Sequence, residues 1–391
     1  MNLESLSRRR FLRLGTVLAA VAPLAPGSAP ALLAEETVVA PSASVRSAAK
    51  VAIARCRTYG PETRAALAKC FDLLGGVGTL VKGKTVTVKI NLTGTDFSPF
   101  KGRPTGETYH THYETALALT SLLLEAGARR VRLVESTNSK AVLEQTLGFA
   151  GWDVNALRAL GAVEFENTRN LGLAKRYCTL RVPGGGQMFS AFDLNHSYED
   201  TDVLVSLAKL KRHVTAGVTL TMKNLFGITP NSLYGDQAGS EDATRGREVL
   251  HTPRARRGLA LPGLKAGITS EDSRWRVPRV VADVCGARPV HLAIIDGITS
   301  MNHGEGPWCD PEEIKLVAPG LIIAGLNAVS TDAVGTALMG YDDPRAPRGT
   351  HPFEVCDNHL VLAEQAGVGL ADLRQIDVRG LTIATARFSY G

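Results

Sequence analysis

Residues 202–227, DVLVSLAKLKRHVTAGVTLTMKNLFG, gather Lys209, Lys211, His213 and Lys223 into an otherwise apolar run. A lysine ammonium is a compact point charge suited to a phosphate or carboxylate, and a histidine exchanges protons near neutral pH. Read as a strand, 202–211 puts Lys209 and Lys211 on one face, with His213 extending the row. Read as a helix, 216–226 buries Val218, Met222, Leu225 and Phe226 and sets Thr215, Thr219 and Lys223 along another face. Such a strand-to-helix junction also offers backbone N–H groups and the positive end of a helix dipole, so it suits an anion.

Three other strand-like runs end on polar residues. KTVTVKINL closes with Lys89 and Asn91, RVRLVEST with Glu135 and Ser136, and HLAIIDG with Asp296 and Gly297. In an open parallel sheet, ligands bind outside the carboxyl ends of the strands. The four ends are therefore expected to build one crevice for a small anionic molecule. Lys211, His213, Lys223 and Asp296 are its catalytic candidates, and Lys89, Asn91, Ser136, Lys209, Thr219 and Asn224 its substrate contacts. Beyond Asp296, ITSMNHGEGPWCDP adds His303 and Glu305, which with Glu135 and Asp296 are the ligand types of a divalent metal and of acid–base chemistry alike. His251 reads as an exposed loop histidine that reaches the crevice only if its loop closes. Crowded cations repel, so Lys211→Ala and Lys223→Ala are each expected to abolish binding without lowering the melting temperature.

The elements that must hold these residues alternate. KVAIARC (50–56) reads as a strand, ETRAALAKCFDLL (62–74) as a helix, 84–92 as a strand, 112–128 as a helix and 130–136 as a strand. The rhythm predicts an α/β fold, a mostly parallel sheet flanked by helices in Rossmann-like layers. YCTLRVPGGGQMFSAFDL (177–194) reads as a β-hairpin, and 228–276 as a long irregular insertion, either a lid or a mobile loop. The rhythm returns with a helix at RVPRVVADVCG, a strand at 290–298 and a helix at 330–341 capped by Ser330 or Thr331. A further helix is read at HPFEVCDNHLVLAEQAG, before a closing QIDVRGLTI.

The 391 residues are 44% hydrophobic and 21% charged, the balance of a globular protein. The formal charge of +6 falls to 6 − 3 = +3 without the first 31 residues, which hold four arginines and one acid, so nucleic acid is not an expected partner. SRRRFLRLGTVLAAVAPLAPGSAPA fits a twin-arginine signal through Ser7, Arg8, Arg9, Phe11, Leu12 and Arg13, with Ala29-Pro30-Ala31 as a cleavage site. Residues 1–31 are thus read as a signal peptide, 32–49 as a flexible leader and 50–391 as one α/β domain. That implies passage of the folded protein through the twin-arginine machinery to a periplasmic or extracytoplasmic location. No later run of about 20 apolar residues appears, so no membrane span is expected in the mature chain. The six scattered cysteines form no C-x-x-C, which argues against an iron–sulfur cluster.

At KLKRHVTAGVTLTMKNLFG the chain resembles the domain of unknown function 362 family, through Lys209, Leu210, Lys211, His213, Thr219, Lys223, Asn224, Leu225, Phe226 and Gly227. Lys89 and Asn91, then Asp296, Gly297, Gly306 and Pro307, and finally Asp332 and Gly340 extend the likeness over about residues 50–345. It departs from the family at Ala208, where proline is usual, and at Arg245 and Arg247, where lysine is frequent. The resemblance implies a shared site at these positions and brings no settled reaction. Some members carry iron–sulfur motifs, which this chain lacks. Three functional classes stay open: an exported enzyme on a carboxylate or phosphate compound, with a divalent metal as candidate cofactor; a non-catalytic periplasmic anion- or cofactor-binding protein; and a redox protein.

Overall fold

The computed structural model describes residues 45 and 48–390, except 95, 170–175, 237, 239–245 and 253–259. The signal peptide, most of the leader, and Arg245 lie outside the described residues. Ala49, read as the end of the leader, is already buried, and its carbonyl accepts the amide of Asp377.

β-Branched and alternating runs form the strands, and amphipathic segments between them form the covering helices. In chain order these are β1 (Lys50–Arg55), α1 (Pro61–Leu73), β2 (Thr85–Lys89), α2 (Tyr113–Glu125), β3 (Arg130–Glu135), α3 (Leu143–Phe149), α4 (Val154–Ala159) and β4 (Val163–Asn167). A hairpin of β5 (Tyr177–Arg181) and β6 (Ala191–Asn195) follows, then β7 (Val203–Lys209), α5 (Leu220–Asn224), α6 (Glu248–His251) and α7 (Ser273–Ala287). The chain ends with β8 (Leu292–Gly297), β9 (Leu321–Gly325), α8 (Ala328–Leu338), α9 (His359–Gln365) and β10 (Asp377–Gly380).

Eight strands make one sheet in the order β10-β1-β9-β8-β7-β2-β3-β4. Alternation splits its side chains between two cores. Ala52, Val86, Leu133 and Leu207 pack with Leu67 of α1 and Leu119 of α2. Val51, Ile53, Leu204 and Ile295 face the other way, against Val280 of α7 and Val334 of α8. The expected α/β layers and hairpin are present. The sheet is mixed, because β9 runs antiparallel to both β1 and β8.

From β8 to β4 all pairs are parallel, with Asp296 opposite Lys209 and Lys89 opposite Ser206 and Val134. The carboxyl ends of β8, β7, β2 and β3 therefore lie side by side. The chain travels outward from β2 through β3 to β4 and returns to place β7 on the other flank of β2. That reversal is the topological switch point at which α/β sheets form a crevice.

Several local readings are corrected. β7 stops at Lys209, so Lys211 and His213 do not extend its row; residues 212–213 pair instead with 217–218. α5 is only Leu220–Asn224, so Thr215 and Thr219 share no helix face with Lys223. It starts at a strained Leu220 (φ +35°) and is held by Asp332, whose carboxylate accepts the amides of Thr221 (2.9 Å) and Met222 (2.7 Å). α8 is capped by Asn327 rather than by Ser330 or Thr331, and α9 starts only after Asn358 caps it. Within 228–276, the described residues include short helical turns at Asn231–Tyr234 and at α6.

Candidate functional site

A cavity of about 410 Å³ opens beyond the ends of β2 and β3, between them and the segments after β7. Its floor begins with a buried ion pair. Lys89 at the end of β2 meets Glu135 at the end of β3 at 2.7 Å, and both side chains are almost wholly inaccessible. The Lys89 ammonium also donates to the Ile90 carbonyl (2.6 Å) and to Oδ1 of Asn224 (3.1 Å), so all three protons have acceptors. Glu135 in turn accepts the amides of Leu92 (2.7 Å) and Ser136 (2.8 Å). Gly227 lies directly over this pair: a Cβ there would stand 3.1 Å from the Lys89 Nζ.

Asn224 locks the switch point. Its Oδ1 accepts from Lys89 and Asn91, and its Nδ2 donates to the Lys89 carbonyl and the Ser206 hydroxyl, joining β2 to β7. Asn91 and Asn224 line the cavity, but the polar atoms of Asn224 are committed to the protein.

The other two lysines of the block are equally committed. Lys209, with no exposure, donates to Tyr59 Oη (2.8 Å), the Gly106 carbonyl (2.6 Å) and Asp296 (3.3 Å). Asp296 is held further by Thr115 and the amide of Ile298. Lys211 donates to the carbonyls of Tyr109 (2.8 Å) and Glu305 (2.8 Å) and to Thr93 Oγ1 (3.3 Å). These three residues lie outside the lining and act as tethers, as does Thr219, whose hydroxyl donates to the Arg212 carbonyl. Burial lowers the Lys211 pKa to about 7, with Glu305 opposing and Lys223 adding to the shift.

Lys223 is different. Half-buried in the cavity wall, its ammonium stands 4.2 Å from the ring centre of Phe226 and has no hydrogen-bond acceptor among the described residues. Burial lowers its pKa to about 8, against the pull of Glu305. Arg247 joins it, an arginine the sequence reading assigned no role. Its Nε and Nη2 donate to the Thr229 and Gly227 carbonyls and to Ser136, which leaves Nη1 without a partner among the described residues. Ser136 itself lines the cavity but is held between Arg247 and Asn231.

Two histidines complete the polar wall in complementary tautomers. His213 Nδ1 accepts the Thr215 amide (3.1 Å), so the proton of the neutral ring sits on Nε2. His251 Nδ1 lies 2.9 Å from the Arg247 carbonyl and must donate to it, so its Nε2 offers a lone pair. Burial and the nearby Lys223 lower the pKa of His213 well below the usual imidazole range and that of His251 to about 4, so both rings are neutral at pH 7. His251 packs against Phe226 as part of the lining, contrary to its reading as an exposed loop residue.

Glu305 closes the wall opposite. Burial would raise its pKa, but His213, the Cys309 thiol and Lys223 hold the carboxyl down to about 2. Since His213 is neutral at pH 7, the lasting cationic support is that of Lys223. The residues read as metal ligands do not converge. Asp296 and Glu135 are each bound by a lysine and by backbone N–H, with two strands between theirs, and His303 lies outside the lining. Among the described residues no three His, Cys, Asp or Glu side chains come together as a metal would require. Formally, Lys89, Lys223 and Arg247 face Glu135, Glu305 and the exposed Glu248. The distribution is uneven, because Lys89 and Glu135 neutralise each other and Glu248 sits on the solvent side.

Residues 86–337, which contain every residue of this site, match the family described as Domain of unknown function (DUF362). The chain belongs to this family. The conspicuous residues of the DUF362 block thus divide in this chain: Lys209 and Lys211 are tethers outside the lining, whereas Asn224, Gly227, His213 and Lys223 line the cavity. A thylakoid-associated protein of Synechocystis sp. is 26% identical over 297 residues, covering 72% of this chain and 73% of that protein. A crystal structure of a Thermotoga maritima protein matches at 16% identity with a TM-score of 0.37, over 69% of this chain and 57% of the other. The chain thus spans little more than half the length of that protein. Among the described residues, no helix is long and apolar enough to cross a membrane.

Proposed function

We propose that this DUF362 protein is an enzyme acting on a small carboxylate or phosphate compound held at the switch-point cavity. One observation carries the reading: Lys223 lines the cavity with no hydrogen-bond acceptor for its ammonium among the described residues, whereas Lys89, Lys209 and Lys211 are each satisfied. A partly desolvated cation without hydrogen bonds destabilises a fold, and an anionic ligand supplies what it lacks. In this reading Lys223 and the free Nη1 of Arg247 grip the anion. His213 donates a hydrogen bond through Nε2, and the lone pair on His251 Nε2 accepts one from a hydroxyl or N–H of the substrate. Lys89, Glu135, Asn224 and Asp332 hold these groups in place.

Calorimetric titration of the full chain with inorganic phosphate and with acetate tests the grip. Lys223→Met is expected to weaken binding by about tenfold or more, the worth of a hydrogen bond to a charged group. Wild-type affinity in that variant would sink the reading. Binding without turnover across a broad set of carboxylates and phosphate esters would assign a carrier instead. The N-terminal pattern around Arg8 and Arg9 supports the further proposal that the protein is exported by the twin-arginine route to the periplasm.

A further inference from the structure

The mouth of the same cavity carries an apolar surface that a bare anion does not use. Trp308 lines it with 52% of its surface exposed. Its indole Nε1 points to Glu305 Oε1 at 3.4 Å, and its ring stands edge-on to Tyr109 with centroids 5.8 Å apart. Gly306 gives the ring its seat: a Cβ at that position would lie 2.2 Å from the indole, so any side chain there would displace it. The second oxygen of Glu305 accepts the amide of Val214 (3.4 Å), which brings another exposed apolar residue to the same carboxylate. Leu92 and Phe226 continue the apolar lining inward towards Lys223.

We propose that Trp308 is a specificity-determining residue and that the ligand is an anion bearing a planar aromatic or conjugated body. The anionic end lies against Lys223 and Arg247, and the body stacks on the open indole face at the mouth. This rests on the anion-binding reading of the cavity. A large apolar side chain held by a hydrogen bond, seated on glycine and left half exposed loses little conformational entropy on contact, which is the property of a preorganised binding surface. A protein partner could use the same exposed ring, but the ring belongs to the lining of a cavity whose floor is polar, and this favours a ligand with two chemically distinct ends.

The test compares matched probes on the full chain by calorimetry: phenyl phosphate against methyl phosphate, and benzoate against acetate. In whichever pair binds, the aromatic member is expected to bind about tenfold tighter. Trp308→Ala is expected to bring the aromatic probe to the affinity of its methyl counterpart, and Trp308→Phe to keep most of the difference. Equal affinities within the pairs would overturn this inference and leave the anion reading standing. Failure of all four probes would bring both down. A uniform loss in Trp308→Ala would make the indole a structural support. A change in the sedimentation of ligand-free Trp308→Ala, with the aromatic preference intact, would make it a protein contact; either result overturns the proposal.

Discussion

Burial disfavours the charge on Lys223, and the fall in its pKa to about 8 has two measurable consequences. An anion needs the ammonium form, so phosphate affinity should decline as pH rises through about 8. Lys223→Arg should remove that decline, because a guanidinium stays charged; titrations between pH 6.5 and 9.5 would read it, and an unchanged profile in the arginine variant would contradict it. The second consequence concerns stability. With a folded pKa below the ordinary 10.5, the folded protein binds fewer protons than the unfolded chain between about 8 and 10.5. The destabilisation is therefore full below about 8 and fades as pH rises through that window. Lys223→Met should raise the melting temperature at pH 7, by the equivalent of about 1–2 kcal/mol once solvent contact is discounted, and less at pH 10. Lys89→Met should do the reverse, costing about 3–5 kcal/mol because it strands the buried Glu135. The sequence pattern exposes the cluster of lysines with His213, but not this division. Each of Lys89, Lys209 and Lys211 has at least one main-chain carbonyl among its acceptors, which no residue type reveals, and its side-chain acceptors come from distant segments. Lys211 is accordingly a tether rather than a crowded cation, and Lys211→Ala leaves two carbonyls without their donor. Arg247 and His251 come from a stretch with no periodicity to point inward.

At the level of elements, α5 is too short to hold its own position. It sits where it does because Asp332, on α8, takes its first amides and the Thr221 hydroxyl, and because Ser206 of β7 donates to the Thr221 carbonyl. Asp332→Ala removes those acceptors from a buried site and should cost about 2–4 kcal/mol, with loss of phosphate binding at temperatures where the variant remains folded. Thermal melts and titrations of one preparation separate the effects; a folded variant with wild-type affinity would show that α5 is placed by packing alone. The helix at 330–341 is legible from its apolar spacing. That its aspartate serves a helix more than a hundred residues earlier is not, because capping between elements leaves no local pattern. The reversed direction of β9 fits its connection to β8: residues 298–320 hold no helix, whereas a parallel crossover usually carries one.

Across the whole molecule, the α/β layers are the most legible feature, since the apolar runs of β1 and its neighbours are buried on both faces and send alternate side chains into two cores. The placement of the cavity also follows, once the strand order is known, from the reversal at β2. If the N-terminal segment directs twin-arginine export, Arg8→Lys combined with Arg9→Lys should hold the protein in the cytoplasm of its host while the wild type fractionates to the periplasm; equal partition would refute the route. The Asn224 amide, reaching from the switch point to β2, makes the finished crevice depend on a late stretch of the chain. A nascent chain that has emerged as far as residue 200 contains Lys89 and Glu135 but neither Asn224 and Gly227, which cover them, nor β9 and β10, between which β1 pairs. No molecule that needs both walls can steer the early chain, so whatever occupies the finished crevice can only reward completed folding, never guide its beginning.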